Sequence, residues 1–203
     1  KSVVFYAFLK RLFDIIAGLI GLVILVPLTV IIKIAYMVTG DFHSVFFLQP
    51  RIGKGGKTFT LIKYRSMVPN AEAKLKKLME KDRAIRKEYE TTKKLLDDPR
   101  VTKVGAFIRR WSIDELPQLF NILKGDMSFV GPRPLIPEEK EIRQIRKELG
   151  VYAVRPGITG LAQVNGRDML GAKEKALFDK EYVEKQSILL DIKIMFKTVL
   201  VVL

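Results

Sequence analysis

The 203 residues carry 36 Lys and Arg against 22 Asp and Glu, a net charge of +14, with no cysteine and one histidine. This excludes disulfides, thiolate metal sites and any site built on two histidines, and leaves acid–base or metal work to carboxylates. The basic excess points to an anionic membrane surface, a small polyanionic substrate or a nucleic acid.

Taken in chain order, residues 15–32 form eighteen positions without a charge. As a helix they extend roughly 27 Å, close to the ~30 Å hydrocarbon thickness of a bilayer, so the run is expected in a membrane. Pro27 removes a backbone donor and predicts a kink. Lys10 and Arg11 precede the run; Lys33, Arg51, Lys54, Lys57 and Lys63 follow it. Basic residues favour the cytoplasmic side. A helix that bends at Pro27 and returns to the same face satisfies both flanks, and a single kinked span stays open beside it. No small-residue cleavage site follows the run, so a cleaved leader is not expected. His43 falls in a turn-like stretch and reads as a loop residue.

Residues 45–48 and 58–64 read as short strands around a Gly53-Lys54-Gly55-Gly56-Lys57 turn. Residues 70–94 are dense in helix formers and charges, which predicts one or two exposed helices. Asp97-Asp98-Pro99 ends them. Gly131-Pro132-Arg133-Pro134 is a rigid turn, residues 138–149 a charged helix, and residues 155–160 another turn. Residues 187–203 are apolar with Asp191, Lys193 and Lys197 interspersed, which suits an interfacial helix or a core helix.

The densest candidate chemistry is Ser112-Ile113-Asp114-Glu115-Leu116-Pro117. Ser112 as N-cap with Glu115 three residues on makes a capping box; Asp114 as N-cap places Pro117 in the first turn. Either register sets both carboxylates at a helix N-terminus, where the dipole favours their ionised form and free donors attract phosphate. An ionised Asp beside phosphate suits a nucleophile for phosphoryl transfer, given a cation to offset the repulsion. Taken alone, the pair is better explained by capping, since capping boxes are common. Lys63, Arg65, Arg109, Arg110, Lys124, Arg133, Arg155 and Arg167 lie near turns, from which cations can converge on a diphosphate. No Walker phosphate loop, Rossmann fingerprint or Ser-His-Asp order is present.

A series of blocks then acquires meaning together: Lys10-Arg11-Leu12-Phe13-Asp14, Gln49-Pro50-Arg51-Ile52-Gly53, Lys63-Tyr64-Arg65-Ser66-Met67, Asp98-Pro99-Arg100-Val101-Thr102, Ser112 to Leu119, Leu123 to Ser128, Gly131-Pro132-Arg133-Pro134, Arg155 to Gly160, and Gln163-Val164-Asn165-Gly166-Arg167. In these the chain resembles the monotopic phosphoglycosyl transferases of the bacterial sugar transferase family. The resemblance implies transfer of a sugar 1-phosphate from a UDP-sugar to polyprenol (undecaprenyl) phosphate with release of UMP, the first membrane step of glycan assembly. It implies Asp114 as nucleophile of a covalent phosphosugar intermediate and Glu115 as its partner through Mg²⁺ or the acceptor. Lys63, Arg65, Arg133, Arg155, Gln163, Arg167 and Asp179 follow as substrate-binding residues, and Asp114 and Glu115 as metal ligands. It also favours the re-entrant hairpin at Pro27 on the cytoplasmic face of the inner membrane. The expected fold is mainly α with a few short β-strands. A re-entrant membrane segment (1–40) is followed by a cytosolic-face catalytic domain (41–186) with a helical insertion (70–96), then an interfacial helix (187–203). Val26 stands where many relatives have Ser, and Ala172-Lys173 where many have Trp-Glu. The rival from another class is a non-catalytic module that binds an anionic membrane surface. Nucleic acid is not an expected partner, since aromatics are interleaved with cations only at Arg109-Arg110-Trp111; pairing with a second copy is left open.

Overall fold

In the computed structural model, which describes residues 2–92, 95–166 and 169–202, the apolar run is the middle of a longer helix, α1 (Ser2–Val38). Its buried positions are Asp14, Gly18, Leu25, Ile32 and Tyr36, four or seven residues apart, which is a single stripe along a helix. The other faces are apolar and open: Phe5, Phe8, Ile20, Val23, Ile24, Val30, Ile31 and Ile34 are each more than half exposed. By length and composition α1 can cross a membrane. Its 37 residues extend roughly 55 Å, nearly twice the ~30 Å a perpendicular span needs. Pro27 lies inside the helix, and helical structure continues through it.

The remaining elements are short: β1 (Phe46–Ile52), β2 (Thr58–Tyr64), α2 (Ala71–Lys81), α3 (Arg83–Thr92), α4 (Lys103–Arg110), α5 (Gln118–Lys124), β3 (Ser128–Val130), α6 (Lys140–Glu148), β4 (Gly157–Thr159), α7 (Leu161–Val164), α8 (Ala172–Lys185) and α9 (Ile188–Val202). Helices dominate, as the sequence leads one to expect, and β1 pairs with β2 and β3 with β4. The residues fall into two compact units, Lys1–Pro27 with Leu48–Lys63 and Glu115–Leu203, and Leu28–Phe47 with Tyr64–Asp114.

In the first unit each polar side chain of the Lys10-Arg11-Leu12-Phe13-Asp14 block fastens a different element. Lys10 Nζ lies 2.6 Å from Asp191 Oδ2 of α9. Arg11 donates to the carbonyls of Ile122 (2.6 Å) and Leu123 (2.8 Å), closing the C-terminal end of α5 as a cation should. Asp14 accepts from Ser128 Oγ at 3.0 Å and the Phe129 amide at 3.1 Å, anchoring β3. Around these ties Leu61, Leu119, Ile122 and Met127 form one apolar cluster, Val130, Val164, Tyr182 and Ile194 a second, and Leu135, Ile142 and Ala176 a third.

Of the two turns read from sequence, the second proves to hold strand β4 at residues 157–159, and the two segments are one construction. β3 and β4 run parallel with Ser128 opposite Gly157 and Val130 opposite Thr159. Gly131 N donates to Thr159 O at 2.8 Å, and Gly157 N to Pro132 O at 3.0 Å. A Cβ on Gly157 would stand 2.1 Å from Gly131 N, and one on Gly131 would stand 2.4 Å from Arg155 O. Backbone meets backbone here, so no side chain can yield. Gly157→Ala is therefore expected to cost at least about 2 kcal/mol, the upper part of the usual overpacking range. Thermal unfolding in detergent micelles checks this; an unshifted midpoint would refute it.

In the second unit Ile32, Tyr36, Val45, Tyr64, Leu75 and Ile108 supply the buried apolar residues. Tyr64 stacks on Phe46 with ring centroids 5.7 Å apart, and its hydroxyl lies 2.6 Å from Thr29 Oγ1. The Thr102 amide donates to Ser66 O, and the Thr102 hydroxyl caps α4 by accepting from the Gly105 amide at 2.8 Å. Asp98 holds the Arg100 guanidinium through hydrogen bonds of 2.8 and 2.6 Å and also accepts from the Arg100 amide at 3.0 Å. Within residues 71–92 the chain forms the two helices α2 and α3, as its helix formers lead one to expect.

Candidate functional site

Glu115 opens the segment that leads into α5. Lys63, on β2, reaches its Oε1 at 2.6 Å, and the Gln118 amide donates to its Oε2. Burial alone would favour the protonated acid, but the Lys63 charge and bond, the Gln118 bond and the Arg133 charge hold the carboxyl below its ordinary range. Glu115 is therefore a carboxylate at neutral pH. Arg51 stands behind it, buried, donating to Pro134 O at 3.0 Å and to Gln49 Oε1 at 2.6 Å. Burial and the neighbouring Arg133 charge lower the pKa of Arg51, while Glu139 and Glu115 act the other way. Arg133 itself is exposed, at the tip of the loop that β3 and β4 fix.

Asp114 is half-buried in the 3-10 turn Ile113–Glu115. Neither capping register forms. Ser112 has φ +53°, the left-handed region, whereas an N-cap residue is extended. Pro117 takes the N-cap position of α5 and makes no side-chain cap bond. The cause is Pro117: it disfavours helical backbone at Leu116, so the helix begins only beyond the proline. The two carboxylate residues are sequence neighbours joined by a trans peptide, which sets their Cα atoms about 3.8 Å apart.

Two residues expected to touch substrate have other places. Asp179 is 0% exposed, its Oδ2 2.5 Å from Arg146 Nη2. A carboxylate so enclosed cannot meet a soluble donor. Arg65 is buried, donating to Asp41 Oδ2 (2.9 Å), Ser44 O (2.8 Å) and Met67 O (3.0 Å), with its guanidinium over the Tyr36 ring. It organises the second unit from within. Arg155 is half-buried and donates to Gly125 O at 2.7 Å. Gln163 donates to Ile158 O at 3.1 Å, and its Oε1 is buried without a hydrogen-bond partner. Arg167 lies outside the described residues. Arg51, Gln118 and Arg146 were not singled out by sequence reasoning. Arg51 sits in a matched block and Gln118 one helical turn beyond Glu115, so spacing gave a usable signal for those two.

Among the described residues no cluster of three acidic or imidazole groups stands ready for a metal. Magnesium does not need one: it commonly takes one or two carboxylates and completes its shell with water and substrate phosphate. Glu115, ionised and beside Asp114 in sequence, fits that kind of site.

An open apolar helix on a helical body, with an ionised carboxylate set among Lys63, Arg133 and Arg51, defines a membrane-associated protein suited to handling phosphate. Residues 5–203 match the family model described as bacterial sugar transferase, and the chain belongs to that family. It is similar to the undecaprenyl-phosphate galactose phosphotransferase of Salmonella typhimurium, 46% identical over 197 residues, 97% of this chain and 40% of the relative. An uncharacterized sugar transferase of Haemophilus influenzae is 45% identical, over 96% of this chain and 41% of that protein. The exopolysaccharide production protein ExoY of Sinorhizobium fredii is 40% identical, over 94% and 83% respectively. The chain thus spans about two-fifths of the length of the first two relatives.

Proposed function

We propose that this chain transfers a sugar 1-phosphate from a UDP-sugar to polyprenyl phosphate at the cytoplasmic face of the inner membrane. The observation that carries it is Glu115, kept ionised among Lys63 and Arg133 and joined to Asp114, in a chain that begins with an open apolar helix. In the first step a carboxylate oxygen of Asp114 attacks the phosphorus that bears the sugar. The bond from that phosphorus to the bridging oxygen breaks, and UMP leaves with the electron pair. In the second step an oxygen of polyprenyl phosphate attacks the same phosphorus and displaces Asp114, giving a polyprenyl diphosphate sugar. Lys63 and Arg133 neutralise phosphate charge that grows in both transition states, the term that dominates phosphoryl transfer. Magnesium held by Glu115 and Asp114 would supply further charge neutralisation.

The membrane segment is read as a re-entrant helix turning near Pro27. Supporting this are basic flanks on both sides of the apolar run and a proline, Pro27, inside it. Because the chain has no cysteine, single cysteines placed at Ser2 and at Thr39 report topology directly. Both are expected to react with an impermeant maleimide only from the cytoplasmic side; labelling from opposite sides would establish a span instead.

The test of the activity is product identity. Wild-type protein with UDP-galactose or UDP-glucose is expected to release at most about one equivalent of UMP per enzyme from the donor alone, and to turn over UMP continuously only when undecaprenyl phosphate is also present. Release of UDP would make it a direct glycosyl transferase, and no nucleotide release with any UDP-sugar would favour the non-catalytic membrane-surface module.

A further inference from the structure

Between α1, β3 and α9 lies a cavity of about 290 Å³ walled by Leu9, Phe13, Val130, Ile188, Ile192 and Met195. That is near the lower end of ligand-pocket sizes and about twice the roughly 150 Å³ that accommodates one benzene, room for some ten to twelve carbons. Three charged residues reach its wall, Lys10, Asp14 and Asp191, and each is turned to a partner. Lys10 and Asp191 are paired at 2.6 Å, and Asp191 also accepts from Tyr6 (2.9 Å) and Tyr182 (2.8 Å). Asp14 is held by Ser128 and the Phe129 amide. What the cavity offers a guest is therefore apolar contact, which selects a hydrocarbon over a polar ligand.

Two features identify the hydrocarbon. The elements that wall the cavity carry open apolar side chains outward, Phe8 and Ile16 on α1, Leu189 and Phe196 on α9, each at least half exposed. A chain entering from a lipid phase meets no polar barrier there. The inner wall is Phe129 and Val130, and β3 runs from Val130 straight into the loop of Arg133, only three residues on and so at most about 10 Å away. A lipid whose phosphate lies at Arg133 has its first carbons at that wall.

We propose that this cavity seats the phosphate-proximal isoprene units of the polyprenyl phosphate acceptor, fixing the acceptor's depth and register against Arg133. The inference rests on the transfer reaction proposed above and adds to it a binding site for the acceptor chain. The wall then measures chain, not only charge: acceptors too short to fill it are used poorly because their phosphate is held by Arg133 alone.

Ile192 is 53% exposed, so Ile192→Trp projects bulk into the cavity without disturbing buried packing. The expected result is a rise of about tenfold or more in the KM for undecaprenyl phosphate, with little change in the KM for a single-isoprene phosphate or for the UDP-sugar. Phe196→Trp, on the open face of α9 away from the cavity wall, is the control and is expected to shift neither acceptor. An equal rise for long and short acceptors, or the same rise from Phe196→Trp, overturns the proposal. Independently, a polyprenyl phosphate with a diazirine in its first isoprene units is expected to cross-link to peptides 9–14, 129–130 or 188–195 of the wild-type protein in micelles. Competition by unlabelled polyprenyl phosphate but not by equimolar phospholipid supports the assignment. Labelling elsewhere, or displacement by phospholipid, assigns the cavity to a bilayer acyl chain and overturns it. If wild-type protein transfers nothing, the reaction fails as a reading, while the cross-link still reports what fills the cavity.

Discussion

Asp114→Asn is expected to lower UMP release by roughly 10⁴-fold or more, the scale seen when a covalent nucleophile is removed. The amide has the shape of the carboxylate but neither its charge nor its lone-pair basicity, so it can occupy the 3-10 turn Ile113–Glu115 without attacking phosphorus. Asp114 is half-buried in a surface turn, and the variant is expected to unfold within about 1 kcal/mol of wild type. Loss of activity with retained stability is the signature of a group that acts in chemistry. Incubation of the wild type with UDP-sugar alone, followed by acid quench and intact mass, should show a phosphosugar adduct that the variant lacks. Residual activity within tenfold of wild type would transfer the nucleophilic role away from Asp114 and with it the two-step mechanism.

Much of the fold was legible because periodicity and breakers are local. The apolar run, both hairpin strands and the charged helical insertion were each written in residues that contact their own neighbours. The helix start at the acidic pair was misread for an equally local reason: capping patterns were weighed, while the effect of Pro117 on Leu116 was not. The matched blocks were read as the marks of a family, and some of their residues as substrate contacts, yet many build the fold. Lys10, Arg11 and Asp14 tie α1 to α9, α5 and β3, and Arg65 and Ser66 brace the second unit through Asp41 and Arg109. The ties from α1 join residues over a hundred positions apart, and one sequence does not show which charge faces which. Hence Lys63 was identified as a cation, but its 2.6 Å contact with Glu115 came only from the fold.

Asp179 shows most clearly how a buried charge can serve a site it never touches. Arg146 and Asp179 form an ion pair with side chains only 4% and 1% exposed, and Arg146 Nη1 also donates to the carbonyl of Arg133 at 2.7 Å. Breaking such a pair leaves one uncompensated charge indoors, so Arg146→Met is expected to cost about 3–5 kcal/mol at neutral pH. Burial already pushes the Asp179 carboxyl above its ordinary range, with the Arg146 charge opposing; without Arg146 it should rise further. The folded state then binds a proton that the unfolded chain does not. Stability of Arg146→Met should therefore increase as pH falls from above the folded pKa toward the unfolded value of about 3.9. Adding Asp179→Leu removes the stranded charge and should recover most of the loss, because a buried pair contributes little net stability. Activity should not follow. With Nη1 gone, the Arg133 carbonyl loses its tether, and the double variant is expected to fold well yet release UMP at least about tenfold more slowly. Thermal midpoints across the mutant cycle and across pH 4 to 8, read beside UMP release, separate the two effects. Recovery of activity in step with stability would reduce Arg146 to a packing residue and leave the Arg133 loop held by Arg51 and the β3–β4 backbone.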